Sequence, residues 1–224
     1  MPERLRVALL FGGQSAEHEV SLLSAANVHR ALGGNRYEVI PIAISRDGVW
    51  RACDPAKPFP TEVPANGPLV SFQPSGGGRL MGELNEALAR PVDVVVPVLH
   101  GPNGEDGVVQ GALELAGAPY VGSGVLGSAV AMDKDVAKRL LRDAGLPIAP
   151  FLTSAPRARV DYDTAVATLQ SDELFVKPAN MGSSVGVSRV RNRAEFDVAA
   201  DLALGFDDRE PRRSCAPRRH LFKA

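Results

Sequence analysis

The stretch FVKPANMGSSVGVSRV, residues 175–190, combines residue types suited to holding a phosphate. Lys177 ends a short apolar run, and a turn rich in glycine and serine separates that run from a second one. Such a turn exposes backbone N–H groups, to which Ser183 and Ser184 add hydroxyl donors, while Lys177 supplies a positive charge. Taken alone, an ordinary hairpin with a surface lysine is the simpler interpretation, because glycine-rich turns are common and no Gly-Lys-Ser/Thr sequence occurs here.

A second lysine occupies an unfavourable position in the sequence MDKDVAKRLL. Lys134 stands at the predicted start of a helix, where a cation is disfavoured by about 0.3–1 kcal/mol. An anion held nearby would reverse the sign of this effect. A solvated lysine offset by Asp133 and Asp135 is the alternative, and Asp133 also suits the N-cap of this helix.

Two polar loops follow predicted apolar strands. In GGQSAEHE, Glu17 stands at a helix start, where it either caps the helix or accepts from a ligand ammonium, and neighbouring His18 is expected at the surface. In HGPNGEDG, His100 directly follows an apolar run, which suits the binding of a ligand carboxylate. A loop with a helix cap at Glu105 and Asp106 is the alternative for this segment.

The elements that must position these residues alternate between strand and helix. LRVALLF, YEVIPIAI and VDVVVPVL are short apolar runs that predict buried strands, and the segments between them predict helices. This alternation predicts a mostly parallel sheet with helices on both faces. Ligands bind such sheets at the carboxyl ends of the strands, so we expect the two polar loops to face one crevice.

Finer expectations concern the segments between the strands. Ser15 is a candidate N-cap for the first helix. That helix is predicted to turn its apolar residues toward one face: Val20, Leu23, Ala26 and Ala31. Residues 53–80 are rich in proline and glycine and predict a loop excursion, while PYVG predicts a short strand.

Composition narrows the classes of protein that the sequence can encode. The chain has 224 residues, of which 45% are hydrophobic, and a formal net charge of −1. This balance argues against a general nucleic-acid or membrane-surface binder. Cys53 and Cys215 lie far apart and form no metal or disulfide pattern, which fits a reducing cytoplasm. The N-terminal apolar run opens directly into glycines, unlike a signal peptide, and no run reaches membrane-spanning length.

The patterns divide the chain into three parts. Residues 1–121 form the α/β domain, and residues 122–205 predict a separate α+β unit. From 206 to 224 the periodicity is lost. The segment from Arg209 to Ala224 holds five Arg, one Lys and one Glu, a formal charge of +5. This last part therefore predicts an irregular, disordered tail.

Four long motifs occur in order along the chain: GG-x-S-x-EHEVSL, HGxxGEDGxxQGxLE, SAxxMDKxxxK and VKPxxxGSSVGVS. With these motifs the sequence resembles the D-alanine–D-alanine ligases of the ATP-grasp superfamily. The resemblance covers about Leu5 to Leu204. It implies that residues 1–121 are the Rossmann-like domain that precedes an ATP-grasp unit. It also implies that residues 122–205 are the first α+β subdomain of the ATP-grasp fold.

The resemblance implies an enzyme that joins two D-alanines into D-alanyl-D-alanine for peptidoglycan precursors. ATP phosphorylates the carboxylate of the first D-alanine, and the amine of the second attacks the acyl phosphate. Positioning and charge stabilisation do most of the work in such a reaction. The resemblance further implies Mg²⁺ or Mn²⁺, a homodimer through the N-terminal domain, no nucleic-acid or membrane partner, and a cytoplasmic location.

The resemblance also implies roles for the matching positions. Glu17 and Ser183 match catalytic positions: Glu17 binds the first D-alanine's ammonium, and Ser183 links the glycine-rich loop to that glutamate and the substrate. His100, supported by Glu105, lies near the substrate carboxylate. The nucleotide phosphates are contacted by two lysines and by the loop from Met181 to Val187: Lys134, Lys177, Gly182, Ser183, Ser184, Val185 and Gly186.

The sequence departs from the family after Asp208. The family continues with a second ATP-grasp half, which carries adenine contacts, a mobile loop, an arginine and the ligands of two magnesium ions. No N-x-N sequence occurs after Val190, so we expect no metal ligands in this chain, and we expect a frameshift or truncation near Asp208. Two alternatives remain open: an inactive fragment that at most dimerises or binds D-alanine, and a relative that joins D-alanine to D-lactate.

Overall fold

A parallel sheet forms the centre of the first part of the chain. The computed structural model describes residues 4–83, 85–155, 158–182, 184–209 and 220–223. The chain divides into two units, Met1–Ala129 and Val130–Ala224, so the expected boundary at residue 121 lies inside the first unit. The elements of the first unit, in chain order, are β1 (Leu5–Gly12), α1 (His18–Ala31), β2 (Tyr37–Ile44), β3 (Trp50–Ala52), β4 (Val70–Phe72), β5 (Leu80–Gly82), α2 (Glu86–Ala89), β6 (Val94–Val98), α3 (Val108–Ala116) and α4 (Val125–Met132).

The main sheet of the first unit has the strand order β3-β2-β1-β6. Strand β1 pairs in parallel with β2 and β6, and β3 is antiparallel, so the prediction of a mostly parallel sheet is confirmed. Alternate residues of β1 point to opposite faces. Leu9 and Phe11 lie in one cluster with Leu22 of α1, whereas Leu10 lies in another with Leu113 of α3. Helices therefore cover both faces of the sheet, as predicted.

The prediction of which residues of helix α1 face the core is wrong. Val20 is 51% exposed and Leu23 is 70% exposed. The buried residues of α1 are instead His18, Ser21, Leu22 and Ala25. The N-cap is Glu17 rather than Ser15. Ser21 lies on the inner face of α1 because its hydroxyl bonds to the ends of β1 and β6. Apolar periodicity cannot detect such a role.

The loop predicted for residues 53–80 contains some regular structure. Strand β4 begins inside it and pairs antiparallel with β5, as a sheet of two strands. The predicted strand PYVG is reduced to one parallel bridge between Val95 and Tyr120. Three-residue strands carry too few side chains to show alternation, so periodicity could not indicate β4 and β5.

Cys53 yields a chemical prediction for the first unit. Burial raises the pKa of its thiol from the ordinary value of 9.0 to about 11. The thiolate fraction at pH 8 then falls about a hundredfold, and alkylation by iodoacetamide should slow in proportion. We expect this slow rate in a Cys215→Ser background, measured by mass spectrometry, with fast alkylation restored in urea. Equal rates in the folded and unfolded chain would contradict the burial of Cys53.

The second unit is built on an antiparallel sheet with the strand order β7-β10-β8-β9. Its elements, in chain order, are α5 (Lys134–Asp143), β7 (Phe151–Ser154), α6 (Tyr162–Leu169), β8 (Leu174–Pro178), β9 (Ser188–Val190), α7 (Arg193–Arg209) and β10 (His220–Lys223). The core beneath this sheet contains Leu174 and Val176 of β8 together with Phe196 and Ala203 of α7. The predicted α+β character of this unit is confirmed.

The predicted irregular tail needs correction at its two described segments. Helix α7 continues to Arg209 instead of ending near Leu204. Residues 220–223 form β10, a central strand in which Leu221 and Phe222 are fully buried. A strand with only two adjacent apolar residues shows no periodicity, so its partners decide its structure. Residues 210–219 of the predicted tail lie outside the described residues.

Long apolar helices are not a feature of the described residues. None of the helices described there has the length and hydropathy needed to cross a membrane.

Candidate functional site

The carboxyl ends of β1 and β6 are tied together by one serine of helix α1. The amide of Gly12 donates to Ser21 Oγ at 2.8 Å, and the same hydroxyl donates to the carbonyl of Val98. Beyond the strand ends, Asn103 Nδ2 donates to Gln14 Oε1 at 3.4 Å. The two polar loops therefore meet at one edge of the sheet, as the sequence predicted.

Glu17 lies against the backbone of the second loop. Gly101 has a φ of +72°, and a Cβ placed on it would come within 2.7 Å of Glu17 Oε2. The amide of Glu17 donates to Ser15 Oγ at 3.1 Å, which fixes the start of the helix. No side-chain cap bond is formed by Glu17 itself. Glu17 therefore occupies the N-cap position without capping the helix through its side chain, and its carboxylate lies beside the loop.

Glu105 closes the turn that carries Gly101. Its Oε2 accepts from the amide of Gly101 at 2.7 Å, and Gln110 Nε2 donates to the carbonyl of Gly104 at 2.8 Å. His100 Nε2 lies 3.3 Å from Ser24 Oγ of helix α1. The turn is thus held from three sides, and its glycine can approach Glu17 closely.

His18 is buried, contrary to the expectation of a surface residue. It is 5% exposed, and its Nδ1 lies 2.7 Å from the carbonyl of Gly13. A carbonyl only accepts, so Nδ1 carries the proton of this bond. His18 therefore supports the glycine turn after β1 and belongs to the framework of the site.

In the second unit, Lys134 holds the chain that follows β8. Its Nζ donates to the carbonyl of Met181 at 2.5 Å and to that of Ala179 at 3.3 Å, and its amide also donates to Ala179. Burial lowers the pKa of the Lys134 ammonium below its ordinary value, and the charge of Asp133 opposes this shift. Asp133 caps α5 as predicted, because its Oδ1 accepts from two amides of the first turn.

Lys177 is half-buried near the end of β8, directly before the glycine-rich loop. Within that loop the amide of Val185 donates to Gly182 at 3.0 Å, and the amide of Val187 donates to Ser184 at 3.2 Å. Ser184 and Gly186 both have positive φ values, which turn the chain tightly. Ser183, a predicted catalytic residue, lies outside the described residues.

Two buried side-chain oxygens near these segments have no hydrogen-bond partner among the described residues. They are Oδ1 of Asn180, beside the loop of the second unit, and Oε1 of Gln110, beside the turn of the first. Buried acceptors without donors are uncommon in proteins and commonly bind water or a ligand. Asn180 lies two residues before the motif GSSVGVS, and Gln110 belongs to the motif HGxxGEDGxxQG.

The structure groups the predicted residues by unit. Glu17, His100 and Glu105 share the strand ends of the first unit, whereas Lys134, Lys177 and the glycine-rich loop share the second. Sequence reasoning missed three supporting residues: Ser21, Ser24 and Gln110. Polar residues at helical spacing on the inner face of α1 were the available signal, and the strong apolar pattern nearby concealed it.

Two family models match the chain. The model described as "D-ala D-ala ligase N-terminus" matches residues 6–123, and "D-ala D-ala ligase C-terminus" matches residues 140–210. The chain belongs to the D-alanine–D-alanine ligase family. The first match alone covers more than half of the 224 residues and contains the Glu17, His100 and Glu105 site.

Relatives of this family member are similar over nearly its whole length. A D-alanine–D-alanine ligase of Methylobacterium sp. (strain 4-46) is 63% identical over 212 residues, which are 92% of this chain and 55% of that protein. D-alanine–D-alanine ligase A of Escherichia coli O6:H1 is 44% identical over 218 residues, 92% of this chain and 59% of that protein. The chain thus spans little more than half the length of these relatives.

Solved structures of the family have the same fold. The D-alanine–D-alanine ligase of Coxiella burnetii gives a TM-score of 0.83 at 31% identity, covering 98% of this chain and 63% of that one. The VanG D-Ala:D-Ser ligase of Enterococcus faecalis gives 0.80 at 32% identity, covering 99% and 62%. The expected combination of an N-terminal α/β domain and a partial ATP-grasp unit is confirmed.

Metal binding is a separate question for this member of the ligase family. Within the described part of the chain, no group of three or more His, Cys, Asp or Glu side chains could hold a metal ion. These residues do not fit the magnesium ions that the family resemblance implies. Magnesium is therefore assigned to none of them.

Proposed function

We propose that this chain binds D-alanine and ATP for the ligation of two D-alanines into D-alanyl-D-alanine, a precursor of peptidoglycan. The γ-phosphoryl group of ATP passes to a carboxylate oxygen of the first D-alanine, giving ADP and an acyl phosphate. The amine of the second D-alanine attacks the acyl carbon, loses a proton and expels inorganic phosphate. The chain's own residues contribute binding, orientation and charge to these steps.

The observation that carries the proposal is the position of Glu17. Its carboxylate lies beside Gly101, at the strand ends where ligands of parallel sheets collect, and it makes no helix-cap bond. A carboxylate in this position suits the ammonium of an amino acid. His100, in the same loop as Gly101, is proposed to contact the substrate carboxylate, with Glu105 holding the turn.

Lys134 and Lys177 supply the charge proposed for the nucleotide phosphates. Two of the three N–H donors of Lys134 are used by loop carbonyls, and no third partner is present among the described residues. Burial of the Lys134 ammonium lowers its pKa, because the charged form is less well solvated there. The negative charge of an incoming phosphate would offset that loss of solvation. The loop residues Gly182, Ser184, Val185 and Gly186 are proposed to cover the phosphates, together with Ser183. ATP is proposed to arrive as its magnesium complex, with no protein ligand assigned to the metal.

The decisive experiment is release of phosphate by the purified chain with saturating ATP, Mg²⁺ and D-alanine, its intact mass confirmed. The proposal of catalysis by this chain predicts D-alanine-dependent release, with Lys177→Ala reducing it to background. Release equal to that of the Lys177→Ala variant would reject catalysis. Supplying D-lactate or D-serine as the second substrate tests whether the chain joins D-alanine to either of them. D-serine is the second substrate named for the VanG ligase.

A binding module without catalysis is the second candidate. It is favoured by the Glu17 site, whose described residues all belong to the first unit and need no nucleotide to form it. This candidate predicts D-alanine binding by calorimetry without phosphate release. We also propose a homodimer through the first unit, because Val108, Leu115 and Leu126 are large apolar side chains exposed on α3 and α4. A cytoplasmic location is proposed because Cys53 and Cys215 lie far apart in the sequence and form no disulfide pattern there.

Replacing Gly101 tests the substrate site directly. In Gly101→Ala the new Cβ would lie 2.7 Å from Glu17 Oε2, so the carboxylate must move. We expect the Kd for D-alanine to rise at least about tenfold, or about 1.4 kcal/mol, by calorimetry. Gly34→Ala is the matched control, because its φ is also positive but nothing lies within 4 Å of the new Cβ. Unchanged affinity in Gly101→Ala would remove Glu17 from the proposed site.

A further inference from the structure

Strand β10 occupies the middle of the second sheet, although its residues lie outside both family matches. The second match ends at residue 210, and β10 comprises His220–Lys223. It pairs antiparallel with β7 on one side and with β8 on the other. The described residues give β7 and β8 no direct pairing, since the strand order is β7-β10-β8-β9. β10 therefore joins the two sides of this sheet.

Lys177 depends on this strand for its place in the sheet. Strand β9 pairs with β8 only from Leu174 to Val176, so its ladder ends before Lys177. In β10, Leu221 is the residue opposite Lys177. Within the described ladders, Leu221 is therefore the cross-strand partner of Lys177, on the same face of the sheet.

The other lysine is connected to β10 through β7. Thr153 of β7 lies opposite Leu221, and its hydroxyl donates to Asp135 Oδ1 at 2.7 Å. Asp135 is fully buried in the first turn of α5, one residue after Lys134. Strand β10 thus pairs directly with β8, which carries Lys177. It is linked through Thr153 of β7 to α5, which carries Lys134.

Burial shows that β10 is a packed strand. Leu221 and Phe222 are both 0% exposed, on opposite faces. The ring of Phe222 stacks on that of Phe196, with centroids 4.5 Å apart. Both faces of β10 are thus fixed by packing, and its two edges by backbone pairing.

We propose that residues 220–223 act as a positioning strand for the phosphate-binding end of β8, with Leu221 as the positioning residue of Lys177. This inference rests on the proposed nucleotide-binding function. It adds that a segment outside both family matches sets the position of a lysine inside one of them. Leu221 makes no contact with the nucleotide in this proposal; it acts through the backbone of β8.

The test uses the full chain and three variants. Leu221→Pro removes an amide that, in a central strand, must point to one of two paired neighbours. Leu221→Ile keeps both the amide and the apolar side chain. Phe196→Leu reduces the same core, keeps an apolar side chain there and replaces no residue of the β10 ladder. ATP affinity is measured by calorimetry in Mg²⁺ at a temperature where all variants are folded, and amide exchange of residues 174–177 by mass spectrometry.

The proposal predicts that Leu221→Pro weakens ATP binding at least tenfold and speeds exchange in residues 174–177. Leu221→Ile and Phe196→Leu should bind ATP like the unsubstituted chain. Unchanged affinity in Leu221→Pro, or an equal loss in Phe196→Leu, would overturn the proposal while leaving nucleotide binding intact. If the unsubstituted chain binds no ATP, the proposed function fails, and exchange alone decides: faster exchange confined to Leu221→Pro supports the positioning strand, and unchanged exchange overturns it.

Discussion

Alanine at Gly12 is expected to destabilise the first unit by about 2–5 kcal/mol. Gly12 has a φ of +89°, and its new Cβ would lie 2.2 Å from the carbonyl oxygen of Ile44, inside the central pair of strands. The left-handed backbone costs about 1–2 kcal/mol, and the overpacking adds about 1–3 kcal/mol. The sum is a large part of the stability of an ordinary domain, about 5–15 kcal/mol. A shift of either strand would disturb its other neighbour, because β1 also pairs with β6 and β2 also pairs with β3.

Trp50 makes this prediction easy to measure. It is the single tryptophan of the chain and lies on β3, at the edge of the affected sheet. Urea unfolding followed by its fluorescence should show the transition of Gly12→Ala at much lower urea. Gly34→Ala, with positive φ but open space around the new Cβ, should lose only the backbone part. Equal losses in the two variants would show that the clash with Ile44 is absent.

Phe222→Ala is expected to have the second large effect, on the second unit. Phe222 is fully buried and stacks on Phe196 in a core shared with α6 and α7. Truncating a buried phenylalanine costs about 3–5 kcal/mol, since both transfer energy and packing are lost. The amides of α7 and β8 should therefore exchange faster in Phe222→Ala, as measured by hydrogen exchange.

Val198→Ala provides the control for Phe222→Ala. Val198 lies on α7 at 71% exposure, so its truncation should change the stability by no more than about 0.5 kcal/mol. A silent Phe222→Ala would mean that residues 220–223 are not packed in the sheet. The sequence expectation of an irregular tail would then hold for them, and the proposal for Leu221 would fail as well.

Local pattern accounts for much of the candidate site. The runs LRVALLF and VDVVVPVL indicated two parallel strands, and the rule for strand ends predicted that their loops meet. Asp133 was recognisable as a helix cap because capping depends on neighbours along the chain. The four family motifs further named the residues to examine, among them Glu17 and Lys177. The roles of those residues remain predictions, and Ser183 lies outside the described residues.

Other features were invisible because they depend on partners distant in sequence. Ser21 faces inward since it bonds to the ends of both β1 and β6, and no helical pattern encodes that bond. The burial of His18 follows from the carbonyl of Gly13 that it meets.

The sequence by itself determined the strand and helix alternation of the first unit, the Asp133 cap of α5, and the family motifs. These features depend on the chemistry of residues that are close together in the sequence. Only the tertiary structure decided the fate of residues 220–223. Their two apolar side chains carry no periodic signal, and they become a strand because β7 and β8 offer backbone groups on both sides and Phe196 offers a ring to stack on.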